Sequence, residues 1–113
     1  MRGRIVLVTF PFDDFSASKV RPAVCLTDAI GPHGHVVVAF ITSRVQQGGL
    51  ALPSDLVLAP DEPEFAGTGL RLASTIRLHR LLTVPVTLMP RQLGMVSART
   101  HAEVIERLRG LFG

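Results

Sequence analysis

The chain has 113 residues, 47% of them hydrophobic and 19% charged, a balance that fits one domain over residues 1–113 with a real core and excludes a disordered polar chain. Its formal charge is +3, and Lys19 is the one lysine among twelve basic residues; the planar forks of the remaining Arg side chains suit gripping phosphate or stacking on bases, although a GC-rich coding bias gives the same enrichment. No apolar run approaches the roughly 18 residues of a membrane span, which argues against insertion.

Residues 5–10 form a continuous apolar and β-branched run closed by Pro11, the pattern of a strand buried on both faces or wrapped into a barrel wall. Arg2 and Arg4 precede it, but the run is short for a signal-peptide core and Asp13 and Asp14 follow without a small-residue cleavage pattern, so a cytoplasmic strand is expected. Residues 11–19 mix Pro, Asp, Ser and Phe without a period and read as a hairpin loop. A second strand over 22–26 should begin at Pro22. Cys25 within it has no disulfide partner in the chain and reads as a small core residue in a reducing compartment.

Gly31-Pro32 and Gly34 punctuate a turn, and residues 35–41 give the clearest strand. His33 and His35 flank that turn, but no third ligand follows at a useful spacing, so they read as surface residues and not as a metal pair. Beyond a polar, Gly-rich stretch at 46–49, residues 55–58 suit a short edge strand, and 60–69 a surface loop. Residues 74–83 return to strand character, with Ile76, Leu78 and, if the alternation holds that far, Arg80 on one face and Arg77, His79 and Leu81 on the other, a partly basic row. Pro85, Pro90 and Gly94 interrupt 85–94, which should be irregular or one helical turn.

From Ser97 the period becomes helical. Thr100 or Ser97 offers an N-cap, Glu103 stands three residues after Thr100, and Val104, Ile105, Leu108, Leu111 and Phe112 recur on one stripe that should pack on the domain or on a dimer mate. Short strands without βαβ alternation, followed by one helix, imply a small, strongly bent antiparallel sheet or barrel.

The segments Arg2-Gly3-Arg4-Ile5-Val6-Leu7-Val8, Phe10-Pro11-Phe12 and Ser18-Lys19-Val20-Arg21-Pro22-Ala23-Val24 together resemble, in order and spacing, the opening of the MazF/PemK toxins of type II toxin–antitoxin systems. The likeness continues through Ile41-Thr42-Ser43, Gly69-Leu70, Ser74-Thr75-Ile76-Arg77-Leu78, Thr83 and Leu93-Gly94-Met95-Val96-Ser97, and so covers essentially the whole chain. Ser16-Ala17-Ser18-Lys19, where many MazF-like chains carry Ser-Glu-Gln, brings it closer to the PemK-like branch. The resemblance implies a mainly β fold, an SH3-like barrel of the CcdB/MazF/Kid type with a C-terminal α-helix. It also implies a cytoplasmic homodimer whose groove binds single-stranded RNA, and growth-inhibiting endoribonuclease activity that leaves a 2′,3′-cyclic phosphate and a 5′-hydroxyl with no metal and no cofactor. A cognate antitoxin, whose disordered segment fills the groove, is implied as partner.

Such cleavage needs a base for the 2′-hydroxyl, a donor for the leaving oxygen and positive charge on the phosphorane. The resemblance assigns Arg21 to the phosphate, beside Pro22, and Thr42 to a phosphate oxygen or to orienting Arg21. A surface ion pair of Arg21 with Asp13 or Asp14, and a backbone-bonding role for Thr42, are the plain alternatives. Where some family members have Arg-x-Asp, this chain has Arg77-Leu78-His79, which makes His79, an imidazole, the candidate base next to Arg77. Ser16, Ser18, Lys19 and Arg44 are expected to touch RNA, and Phe12 to stack on it, since the chain has neither Trp nor Tyr. Two competing readings share the barrel: a non-catalytic gyrase-binding toxin of the CcdB type, and a plain SH3-like binding module. Arg21-Pro22 together with Thr42 belong to the ribonuclease branch.

Overall fold

Val, Ile and Leu fill most of the segments that become strands, because β-branched and bulky side chains suit a pleated surface. The computed structural model describes residues 1–10, 19–43 and 51–113. Six strands are present among them: β1 (Arg4–Phe10), β2 (Lys19–Cys25), β3 (His35–Thr42), β4 (Asp55–Leu58), β5 (Ser74–Pro85) and β6 (Arg91–Met95). They form one antiparallel sheet in the order β4-β5-β3-β2-β1-β6, followed by α1 (Ala98–Phe112). The architecture is the expected one, a curled β-sheet with a single C-terminal helix.

Alternation along each strand sends neighbours to opposite faces, and both faces are buried. Ile5, Val24, Ala39, Ile41, Ile76 and Leu78 pack with Val104 of α1 in one core, with Leu108 against its edge. Val6, Val8, Ala23, Cys25, Val36, Val38 and Val84 form the other, flanked by Met1, Leu88 and Met89. Double-sided burial is why these strands read as continuous apolar runs. Cys25 is fully buried, and that burial pushes its thiol above the ordinary range, as fits a core residue. At the N-terminus, the terminal amine donates to Asp28 Oδ1 at 2.8 Å and the Arg2 amide donates at 3.1 Å, which together draw the Asp28 carboxyl down to about 2.

Glycine lets the β4–β5 connection pack on the edge strand β6. A short 3-10 turn, Ala66–Thr68, ends at Gly69, whose φ of 74° is left-handed and suits a residue without a Cβ. A Cβ on Gly69 would run into the backbone of Leu93, and one on Gly94 into the backbone of Gly67 and Thr68. The connection from β4 to β5 is thereby seated directly on β6. Because the obstruction is backbone and cannot rotate away, Gly94→Ala is expected to destabilise the domain by about 1–3 kcal/mol. A lowered urea midpoint with an unchanged slope would register the loss.

Three sequence expectations change. Pro22 lies in the middle of β2, opposite Leu7, and does not begin it. Pairing with β3 starts only at Ala23, so proline meets one ladder there and its missing N–H is tolerated. Within 85–94, expected to be irregular or one helical turn, Val86–Leu88 do form a 3-10 turn, but Arg91–Met95 form edge strand β6 against β1, with a bulge between Ile5 and Val6; a strand holding Gly94 and preceded by Pro90 has little local propensity and is made by its partner's ladder. The row of Arg77, His79 and Leu81 is also broken. Ala39 pairs with Leu81 but Phe40 with Arg77, so residues 78–80 bulge from β5 and the faces exchange. Leu81 therefore joins Ile76 and Leu78 on the helix-side core, while the Arg80 guanidinium stands 5.8 Å from the centre of the Phe40 ring.

Of the two offered caps, Ser97 is used: its Oγ accepts the Thr100 amide at 3.1 Å. Thr100 Oγ1 in turn donates to Glu64 Oε2 at 3.2 Å, fastening the helix start to the β4–β5 connection. The apolar stripe outruns the sheet, leaving Phe112 74% exposed. No helix among the described residues is long and apolar enough to cross a membrane.

Candidate active site

Strands β2 and β3 part company beyond the Ala23–Phe40 pair, and Thr42, at the end of β3, pairs instead with Thr75 of β5. A cleft of about 310 Å³ opens at this point. Arg21 and Pro22 form one wall, Ile41, Thr42 and Ser43 the floor, and the segment before β5, with Leu70, Arg71, Leu72 and Ser74, the other wall. Proline thus does two things: it ends the β2–β3 ladder and fixes the backbone from which Arg21 projects.

Arg21 is exposed and Thr42 half-buried. Among the described residues no carboxylate pairs with Arg21 or Arg71, and no acidic side chain lines the cleft. Two guanidiniums without a carboxylate partner among the described residues, bordering one concavity, focus positive potential and draw anions in. Ser74 is buried, its Oγ donating to the Leu72 carbonyl at 2.9 Å, so it shapes the wall.

Arg77 is placed differently. It stands in register with Asp55 on β4, and its Nε lies 2.8 Å from Asp55 Oδ1, with the two side chains 18% and 3% exposed. Although close, this contact is not aligned as a hydrogen bond, since neither atom finds a partner of good geometry; we read it as an ionic contact. The other carboxylate oxygen accepts the Leu52 amide at 3.0 Å. Arg107 of α1 donates to the Asp55 and Pro53 carbonyls at 2.9 and 2.8 Å, so the edge strand, its carboxylate and the helix are joined at one point. Arg77 does not line the cleft, and neither does His79, which is exposed in the three-residue bulge of β5.

Phe12, Ser16, Ser18 and Arg44 fall outside the described residues, while Lys19 opens β2 opposite Phe10. Arg71 was missed in the sequence: Gly69-Leu70 stands out as a family marker, but the aperiodic stretch that follows gives no sign that it lines the same cleft as Arg21. His33 and His35 stand edge to face, ring centres 6.2 Å apart, and no three His, Cys, Asp or Glu among the described residues are grouped to hold a metal.

Curled sheet, single closing helix and Arg–Thr cleft define a helix-capped β-domain with a cationic site where two strands splay. The family model described as "PemK-like, MazF-like toxin of type II toxin-antitoxin system" matches residues 1–112, and the chain belongs to that family. Among solved structures, Mycobacterium tuberculosis toxin MazF-mt6 is similar with a TM-score of 0.72 and 25% identity, over 96% of this chain and 95% of that one. A MazE–MazF complex from Deinococcus radiodurans aligns with a TM-score of 0.70 at 22% identity, covering 99% and 93% of the two chains. An endoribonuclease in complex with its cognate antitoxin, from a mycobacterial species, shares the fold with a TM-score of 0.68 at 16% identity, over 100% of this chain and 94% of that one. Comparison with curated protein sequences finds no match.

Proposed function

We propose that this toxin is a metal- and cofactor-independent endoribonuclease that cuts single-stranded RNA in the cytoplasm, acts as a homodimer and is neutralised by a cognate antitoxin. The observation that carries the reading is that Arg21 and Thr42, far apart in sequence, converge on one open cationic cleft in a chain of the MazF/PemK family. Relatives solved as a MazE–MazF complex and as an endoribonuclease with its antitoxin support an antitoxin partner here, and a small domain gains stability from a second subunit.

In the proposed reaction the 2′-hydroxyl attacks the adjacent phosphorus and the 5′-oxygen leaves, giving a 2′,3′-cyclic phosphate and a 5′-hydroxyl. Arg21 presents two N–H donors to the phosphorane oxygens, where charge develops. Arginine does not give up its proton, so its role is electrostatic: it hydrogen-bonds the leaving 5′-oxygen, which takes its proton from solvent water to become the 5′-hydroxyl. Thr42 holds a phosphate oxygen or orients Arg21. Arg77, anchored by Asp55, backs the same region: it lies two residues along β5 from Thr75, the partner of Thr42. In sequence Lys19 stands two residues before Arg21 and Arg44 directly after Ser43; with Ser16, Ser18 and Phe12 they are assigned to RNA backbone and base contacts.

On the family resemblance His79 is the proposed base, although in this structure it stands in the β5 bulge and does not line the cleft. If it accepts the 2′-hydroxyl proton, His79→Ala is expected to lower kcat by about 10²–10⁴; a folded His79→Ala enzyme with normal turnover would exclude it. The broader reading is tested by incubating purified protein with a long single-stranded RNA in EDTA, comparing Arg21→Ala, and mapping the ends. Discrete cuts ending in cyclic phosphate, absent from the variant, are the expected result. A folded protein that leaves RNA intact would overturn the reading in favour of a toxin acting by binding alone.

A further inference from the structure

We propose that Arg71 and Leu72 form a second nucleotide subsite of the cleft, Arg71 gripping the phosphate next to the one cut and Leu72 bearing on its base. The proposal rests on the ribonuclease reading and extends it to residues which that reading does not use.

Four features carry it. Residues 69–74 are fixed at both ends: Gly69 is wedged on the Leu93 backbone, the Leu70 amide donates to Thr68 Oγ1 at 3.2 Å, Thr68 Oγ1 donates to the Phe65 carbonyl at 2.6 Å, and Ser74 Oγ donates to the Leu72 carbonyl at 2.9 Å. Leu70 is packed against the helix-side core, which leaves Arg71 and Leu72 exposed on the wall facing Arg21. Arg71 has no ion-pair or hydrogen-bond partner among the described residues, which leaves its charge unclaimed by any of them. Finally, Leu72 is 64% exposed. A lone exposed leucine is ordinary; one held on a fixed segment, beside an unpaired guanidinium and across a cleft from another, offers what a nucleotide carries, an anionic phosphate and an apolar base face.

The cleft volume, at the lower end of small-ligand pockets, admits about one nucleotide, with Arg21 entering from the β2 side of β3 and Arg71 from the β5 side. Because the wall is fixed before binding, little ordering is lost when RNA enters. Arg71 touches no reacting atom, so its contribution is equal in ground and transition states and appears in KM rather than kcat.

The test uses the whole chain free of antitoxin, the cleavable RNA, and a labelled 2′-O-methyl oligonucleotide of the sequence recovered from cleavage mapping, which binds without being cut. Expected for Arg71→Gln is a rise of about tenfold in KM with kcat kept, the same rise in Kd for the uncleavable oligonucleotide, and a slope of log affinity against log salt shallower by about 0.7, one phosphate contact on a single strand. Leu72→Ser should weaken binding and leave the salt slope alone. Arg109→Gln, at the exposed end of α1, should change neither and controls for net charge. An Arg71→Gln protein with wild-type KM and salt slope overturns the proposal while leaving the ribonuclease reading intact, as does one whose loss falls on kcat. A wild-type protein that neither cuts nor binds RNA overturns both.

Discussion

Arg21→Ala is expected to lower kcat by about 10²–10³, the effect of removing one preorganised donor from a developing oxyanion, with little change in stability because the side chain is exposed and makes no ion pair among the described residues. Arg21→Lys is the sharper comparison. It keeps the charge and loses the planar fork, so if bidentate contact to the phosphorane matters the lysine variant stays well below wild type. Single-turnover cleavage at saturating RNA separates this from a binding defect. A lysine variant as fast as wild type would reduce the role of Arg21 to a point charge; an alanine variant as fast would remove it from the chemistry altogether.

Arg77→Met is expected to destabilise the domain by about 3–5 kcal/mol, because it leaves the Asp55 carboxylate, 3% exposed, without its counter-charge. Replacing both partners, Asp55→Leu with Arg77→Met, should recover most of that loss, less about 1 kcal/mol for the Leu52 amide that Asp55 also accepts. Urea unfolding of the single and double variants measures the coupling. A single variant that loses under 1 kcal/mol would mean that water screens the pair. The double variant also sorts structure from chemistry: folded and inactive, it assigns Arg77 to catalysis; folded and active, it assigns Arg77 to holding β4 against β5.

Much of the fold was legible from pattern. Residues 35–41, the edge strand at 55–58 and the terminal helix each carry a local signal: β-branched density, a short apolar run between turn residues, and a cap followed by a 3.6-residue repeat. Strand β6 carries none, since Gly94 and Pro90 oppose it locally and only the ladder with β1 makes it a strand. The bulge at 78–80 is likewise silent, because alternation in one strand cannot reveal where its partner drops three residues from the register.

The site divides in the same way. By itself the sequence determined the family pattern around Arg21-Pro22 and Ile41-Thr42-Ser43, the continuous apolar run of the first strand and the helix that closes the chain, since each is written in residues adjacent along the chain. Only the tertiary structure decided that Arg77 belongs to Asp55, that His79 stands in a bulge away from the cleft, and that Arg71 faces Arg21 across it. Those are relations between segments set by sheet register, by the glycine-mediated seating of the β4–β5 connection on β6 and by the point at which proline ends a ladder; register is a property of pairs of strands, which no single stretch of sequence contains.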